Sequence, residues 1–321
     1  GGEARHAALV ETLPKRGYRL AGASTVETTR DDPATPPRRA RWPWAVAAVA
    51  VAAAAALGAW HLQRADAGWV DPLAGARFTR VTDAEGLVPS VAISRDGAQL
   101  AFLASRDGKL DAWLLRADTG AVDNLTRGRV PGIDNPVRSL GFTPDGAVLT
   151  VWNRSVDAAG TESIDTWAVP VDGASPYPLL DDVAEVDWSP DGTRRAYHPA
   201  APGDPLFVSD PNGTAGRQIH IAASGVHCHF PTWSPDGRQL YFVQGRPPDE
   251  MDVWRIGVQG GEPERVTFHA SRVSHPVFVD HATLLYLATD KDGSGPWLHG
   301  VDVERGAPRR VGAGQERYTS L

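Results

Sequence analysis

The residues best equipped for chemistry stand together in one tripeptide, His227-Cys228-His229. Side chains alternate along an extended strand, so the two imidazoles would face the same side. Imidazole and thiolate both suit zinc, but a zinc site needs three or four ligands. No paired spacing completes such a set; His269, His275 and His281 follow in the next stretch, and nothing in their spacing requires an approach. His227 and His229 therefore read as loop histidines, with no resident metal or cofactor, and stand as the weak candidates for ligation. Cys228 is the single cysteine, which rules out an intramolecular disulfide. Catalytic signatures are missing: there is no Gly-x-Ser-x-Gly elbow, no His-Glu-x-x-His and no phosphate-binding Gly-x-x-x-x-Gly-Lys-Ser/Thr. The expectation is a protein that is not an enzyme.

A repeat must position these residues. One phrase recurs as Ile93-Ser94-Arg95-Asp96-Gly97, Phe142-Thr143-Pro144-Asp145-Gly146, Trp188-Ser189-Pro190-Asp191-Gly192 and Trp233-Ser234-Pro235-Asp236-Gly237. Its aspartates step by 49, 46 and 45 residues, and a worn copy at Asp280 follows 44 residues later. A period of this size marks propeller blades, repeats that cannot bury their faces alone. The phrase is turn chemistry, in which a hydroxyl bonds nearby backbone and Asp-Gly closes a reversal. Asp96, Gly97, Asp145, Gly146, Asp191, Gly192, Asp236 and Gly237 are thus assigned to structural turns.

In the fourth copy the four strands read as Pro231–Ser234, Gln239–Gln244, Asp252–Val258 and Glu264–Phe268. Third strands carry Trp113, Trp167, Trp254 and Trp297, and fourth strands end at Leu125-Thr126 and Val266-Thr267. Phe78 to Thr82 reads as one more outer strand, closing a blade begun at the other terminus. The fold class is mainly β: a propeller of four-stranded blades, about five visible and incomplete.

These repeats resemble those of TolB-type propellers, which also precede the hydrolase domain of prolyl oligopeptidases. The third copy departs from the pattern, because Arg194-Arg195-Ala196-Tyr197 breaks its apolar run. Such propellers usually close with six or seven blades, so the resemblance implies a chain cut short at its C-terminus.

At the other end, Glu11 to Leu20 reads as a small β-hairpin around a basic turn. The string Thr12-Leu13-Pro14-Lys15-Arg16-Gly17-Tyr18-Arg19-Leu20 resembles the C-terminal wing of OmpR/PhoB-type winged-helix domains. That resemblance implies DNA as a partner, with Lys15, Arg16 and Arg19 at phosphates or the minor groove. It also implies that an N-terminal part is missing, as no Met opens the chain.

Residues 22–41 form a polar, proline-rich linker ending in Arg38, Arg39 and Arg41. Residues 42–62 carry no Asp, Glu, Lys or Arg and have tryptophans at both ends, which predicts one transmembrane helix. The rival reading is a signal peptide cleaved after Ala67, but some forty residues precede the apolar run. Residues 1–42 hold eight Lys/Arg and five Asp/Glu, net +3, which leaves −10 of the chain's −7 for the rest. A basic cytoplasmic segment and an acidic periplasmic one agree with this topology, and the propeller's acidity argues against its own binding of nucleic acid.

The expected organisation is a winged-helix remnant (1–21), linker (22–41), inner-membrane span (42–62), linker (63–77) and periplasmic propeller (78–321). This order is similar to the CadC/ToxR-like membrane regulators. It implies DNA-binding transcriptional regulation, with a periplasmic protein or small-molecule signal at the propeller and a homodimer as further partners. Two alternatives stand beside it: a membrane-tethered hydrolase of prolyl-oligopeptidase type, and an envelope scaffold without regulatory output.

Overall fold

The computed structural model describes residues 46–56, 69–78, 80, 90–106, 109–133, 140–156, 158–312, 318 and 320–321, together with the backbone of 10–13 and 17–20. The chain divides into two compact units, Gly1–Gly58 and Ala59–Leu321.

In the first unit, β1 (Val10–Leu13) pairs antiparallel with β2 (Gly17–Leu20), from Val10 opposite Leu20 to Leu13 opposite Gly17. Arg19 lies in β2, opposite Glu11, whereas Lys15 and Arg16 fall outside the described residues. Residues 46–56 are helical and exposed throughout. At 1.5 Å per residue they rise about 16 Å, roughly half of a hydrocarbon core. Among the described residues no helix is long and apolar enough to cross a membrane. The remainder of the expected span, 42–45 and 57–62, lies outside the described residues, and those that are described form no winged helix.

The second unit is a five-bladed β-propeller among the described residues. Blade 1 comprises β3 (Val91–Ile93), β4 (Gln99–Arg106), β5 (Lys109–Arg116) and β6 (Val122–Asn124). Blade 2 comprises β7 (Leu140–Phe142), β8 (Val148–Val156), β9 (Glu162–Pro170) and β10 (Tyr177–Leu180). In blade 3 these are β11 (Val183–Trp188), β12 (Arg195–Pro199), β13 (Leu206–Ser209) and β14 (Arg217–His220). Blade 4 follows as β15 (His227–Trp233), β16 (Gln239–Arg246), β17 (Glu250–Gly257) and β18 (Glu264–Arg265). Blade 5 ends the series with β19 (Val273–Phe278), β20 (Thr283–Ala288), β21 (Trp297–Asp302) and β22 (Arg309–Arg310). Every sheet is an antiparallel meander in sequence order.

The outer strand of blade 5 is its own β22, and Phe78 is unpaired and 71% exposed. Residues 79, 81 and 82 lie outside the described set. The N-terminal part of this unit instead packs at Trp69 and Leu73, from the segment read as a linker, against Leu285, Leu287, Leu298 and Val311 of blade 5.

Blades hold together because each sheet buries both faces. Along β16, Leu240 and Phe242 join a cluster with Leu206 and Val208 of blade 3, while Tyr241 and Val243 join one with Tyr286 and Leu284 of blade 5. The side-chain period of two sends alternate residues to opposite neighbours, so these strands read as continuous apolar runs.

The turns repeat atom by atom. Ser94 Oγ donates to Asp96 Oδ1 at 2.6 Å and accepts the Gln99 amide at 2.9 Å, while Asp96 Oδ1 accepts the Ala98 amide at 3.0 Å. Thr143 with Asp145, Ser189 with Asp191 and Ser234 with Asp236 make the same set. The glycine after each aspartate sits at a φ of +67° to +70°, where a Cβ would be strained. The hydroxyl and amide donors hold all four carboxyls below the usual range, Asp191 at about 2. Asp280 closes the fifth turn by accepting the Ala282 and Thr283 amides, both at 2.8 Å.

A second recurrent carboxylate, outside the repeated turn phrase, clamps the outer strands. Asp111 in β5 accepts from Thr126 Oγ1 at 2.5 Å and the Gly128 amide at 2.7 Å. Asp252 in β17 accepts from Thr267 Oγ1 and the His269 amide, both at 2.7 Å. Each aspartate stands two residues before a third-strand tryptophan, and each threonine ends the Leu-Thr or Val-Thr step.

Three outcomes test this account by chemical denaturation. Leu240→Ala should cost about 2–5 kcal/mol, the usual range for a buried leucine. Thr126→Val and Thr267→Val should each cost about 1–3 kcal/mol, because a buried carboxylate and amide lose their partner. The depressed turn carboxyls add stability that is present above pH 3.8 and lost as pH falls towards about 2. An acid titration in which Asp191→Asn unfolds at the same pH as the parent would contradict that assignment.

Candidate functional site

The first strands of all five blades line a central cavity of about 680 Å³. Its wall is largely apolar, with Val91, Leu140, Phe142, Val277 and Phe278, and Leu321 also lines it. Charge enters at Arg95, Glu185, Asp187 and His275. The Arg95 guanidinium crosses from blade 1 to the Pro190 carbonyl of blade 3 and lies 3.4 Å from the Ser189 carbonyl oxygen. Asp187 in β11 joins blades 3 and 4: its Oδ2 accepts the Trp233 amide at 3.1 Å, and its main-chain oxygen accepts Trp233 Nε1–H at 3.1 Å. Burial pushes its carboxyl from 3.8 up to about 6, against the pull of the Trp233 and Trp188 amides and Arg95.

Beside this channel, at the seam between blades 3 and 4, the structure gathers the chemistry-bearing side chains. His227, Cys228 and His229 lie within β15 rather than in the loop that the sequence suggested, paired with Gly245, Gln244 and Val243. The strand alternates as expected: the His227 and His229 rings share a face, with centroids 5.7 Å apart, and both approach Asp204. Asp204 Oδ2 lies 3.0 Å from His227 Nδ1 and 3.9 Å from His229 Nε2, and it accepts the Cys228 amide at 3.1 Å. Cys228 points into the core with no exposed surface, and burial, with Glu185 and Asp204, holds its thiol well above the usual range. Its thiolate form is thereby disfavoured.

On the other side of His229 stand Glu185 and His198. They oppose each other across the β11–β12 pair, with His198 Nε2 3.4 Å from Glu185 Oε2. Glu185 Oε2 also accepts the Phe230 amide from blade 4. Glu185, His198 and His229 are all buried. Burial disfavours charge on His198, but Glu185 outweighs it and lifts the imidazole above its usual range. Phe230 follows at φ +58°, beside a register shift in β15, and a second shift lies between Val183 and Glu185 in β11. Bulges of this kind re-aim side chains.

The sequence reading thus found His227 and His229 and missed Glu185, His198 and Asp204. One signal was available. Seven residues past each turn aspartate stand Leu103, Trp152, His198, Val243 and Leu287, so His198 is polar where the repeat is apolar. The other histidines do not join the cluster. His275 packs on Phe230 with ring centroids 4.7 Å apart, His269 bonds the Tyr286 hydroxyl at 2.7 Å, and His281 lies beside Asp280.

No protein-family model matches the chain. It is 28% identical over 130 residues to an uncharacterized protein of Agrobacterium fabrum, covering 40% of this chain and 42% of that one. A second match, also 28% identical, runs over 105 residues of the uncharacterized peptidase YuxL of Bacillus subtilis, 30% of this chain and 15% of that one. The chain therefore spans less than half of either curated relative. Among solved structures, a putative TolB from Agrobacterium tumefaciens superposes with a TM-score of 0.58 at 20% identity, over 74% of this chain and 85% of that one. The fold is a TolB-like five-bladed propeller.

The channel carboxylate gives a pH test. An acid whose pKa is raised on folding holds its proton longer in the folded chain, so stability falls as pH rises from 3.8 to about 6. Asp187→Asn should flatten the stability curve in that window, as read by urea midpoints at successive pH values. Parallel curves for variant and parent would show that Asp187 is not the titrating group.

Proposed function

We propose that the propeller is a recognition domain, binding a protein or small molecule along its channel without turning it over. The observation that carries this reading is the channel itself, a cavity of about 680 Å³ with strand-borne walls and a few charged groups. Apolar cavities with convergent polar groups are the usual form of a binding site. Cys228, the chain's single thiol, is buried with its thiolate disfavoured, which speaks against nucleophilic chemistry through sulfur. The prolyl-oligopeptidase alternative draws on YuxL, a peptidase by name, but the described residues form no hydrolase domain.

A second reading draws on one observation, the β1–β2 hairpin, whose strands Val10–Leu13 and Gly17–Leu20 pair antiparallel. On this reading the chain belongs to a membrane-anchored regulator, with the apolar stretch 42–62 in the inner membrane, the propeller as periplasmic sensor and DNA as the cytoplasmic partner.

Photo-crosslinking tests the recognition domain. A photoreactive residue at Phe278, in the channel, should give one recurrent adduct that is absent from the exposed position Val156. Equal labelling at both would overturn the channel as the binding surface, and turnover of chromogenic peptides would overturn the non-catalytic assignment. The hairpin is tested by titrating duplex DNA at several salt concentrations. Arg16→Ala should weaken binding to every sequence alike and lower the salt slope by about one phosphate contact. An unchanged slope would make Arg16 an ordinary solvated charge.

A further inference from the structure

We propose that Glu185, His198 and His229 form a binding site for one divalent cation of the zinc class, fastening blade 3 to blade 4. The inference does not depend on what the channel binds.

The donor set fits. One ligand atom from each of the three residues can be chosen so that all lie within 4.8 Å of one another. Two imidazoles and a carboxylate are a common zinc set, with bonds of about 2.0–2.2 Å. Tetrahedral bonds of that length put neighbouring donors about 3.4 Å apart, and His198 Nε2 lies 3.4 Å from Glu185 Oε2.

His198 supplies the second, independent observation. Its Nδ1 lies 3.1 Å from the Pro199 carbonyl oxygen, so Nδ1 carries the proton and donates it there. Its Nε2 faces Glu185 at 3.4 Å and, among the described residues, makes no hydrogen bond although the side chain is only 3% exposed. Glu185 favours positive charge at this nitrogen, which either a proton or a bound cation can supply. A ligating histidine whose other nitrogen donates to a backbone carbonyl is the usual arrangement around a bound metal.

The scaffold also fits. Glu185 and His198 are cross-strand partners in blade 3, and His229 comes from the first strand of blade 4. All three ride on paired strands, which hold ligand geometry better than loops do. A cavity of about 140 Å³ opens beside His198 and His229 and is also lined by Asp204, Arg154 and Trp152, whose buried indole N–H has no hydrogen-bond partner among the described residues. That space would take a water or small anion as the fourth ligand. Asp204 Oδ2 stands 3.9 Å from His229 Nε2, beyond hydrogen-bond distance and outside the triad, while exposed His227 is not required.

The full chain, stripped with a chelator and dialysed into metal-free buffer at neutral pH, is titrated calorimetrically with zinc chloride. One equivalent should bind and raise the melting temperature. Glu185→Gln and His229→Gln should each weaken binding by about 100-fold or more, while His227→Gln and His269→Gln leave it within a few-fold. No binding below millimolar zinc would overturn the proposal, as would binding that survives Glu185→Gln but is lost in His227→Gln. Should the buried variants fail to fold, X-ray absorption of the wild-type zinc complex decides. Two imidazoles with oxygen support the site; a sulfur ligand or a third imidazole overturns it.

Discussion

One clasp sets the geometry on which the propeller depends: a Ser or Thr hydroxyl held between a carboxylate two residues ahead and an amide five residues ahead. It recurs with nearly the same distances at Ser94, Thr143, Ser189 and Ser234. Because the turn is fixed, the second strand leaves it in a fixed register, and the period of two then decides which face each residue takes. The turns also touch one another. Gln99 Nε2–H donates to the Gly146 carbonyl at 3.3 Å, and an Arg194 Nη2–H donates to the Gly237 carbonyl at 2.8 Å. Local hydrogen bonding thereby becomes a constraint on how neighbouring blades meet.

Between other blades that constraint is met by apolar packing together with hydrogen bonds to main-chain carbonyls, such as Arg116 to Val171, Thr166 to Val183 and Thr232 to Pro276. At the seam of blades 3 and 4 it is met differently. There the inner-strand carboxylates Glu185 and Asp187 accept the Phe230 and Trp233 amides of the next blade, and Arg217 donates to the Val258 and Gln259 carbonyls. Buried carboxylates need such donors, since desolvation otherwise disfavours their charge. Asp187 has two amides and keeps a raised pKa even so. The apolar cluster below, from Leu206 to Phe242, closes the same seam on its outer side.

Legibility followed the range of the interactions. The turn aspartates were readable because hydroxyl, carboxylate and glycine lie within four residues of one another. The blade strands were readable from continuous apolar runs such as Leu240 to Val243. The Asp111–Thr126 and Asp252–Thr267 clamps bridge 15 residues, and only their two ends were visible, as a tryptophan flank and a Leu-Thr step. Glu185, His198 and His229 meet through one cross-strand pairing and one blade contact, and no spacing along the chain encodes that meeting.

The departures from the repeat are themselves informative. Blade 3 is the copy whose second strand breaks the apolar run, and the break has a structure. Arg195 is buried with its guanidinium 5.5 Å over the Tyr197 ring, and Tyr197 stacks on Phe207 at 5.4 Å, where other blades place tryptophan. Those two residues carry the outer packing, which frees the next inward position, His198, from filling apolar space. A repeat that needed only stability would have kept an aliphatic residue there, as at Leu103, Val243 and Leu287. Natural sequences break their own local rules mainly at functional sites. By that argument blade 3, the least regular copy, is the one whose departures call for a role beyond packing, which the proposed cation site supplies.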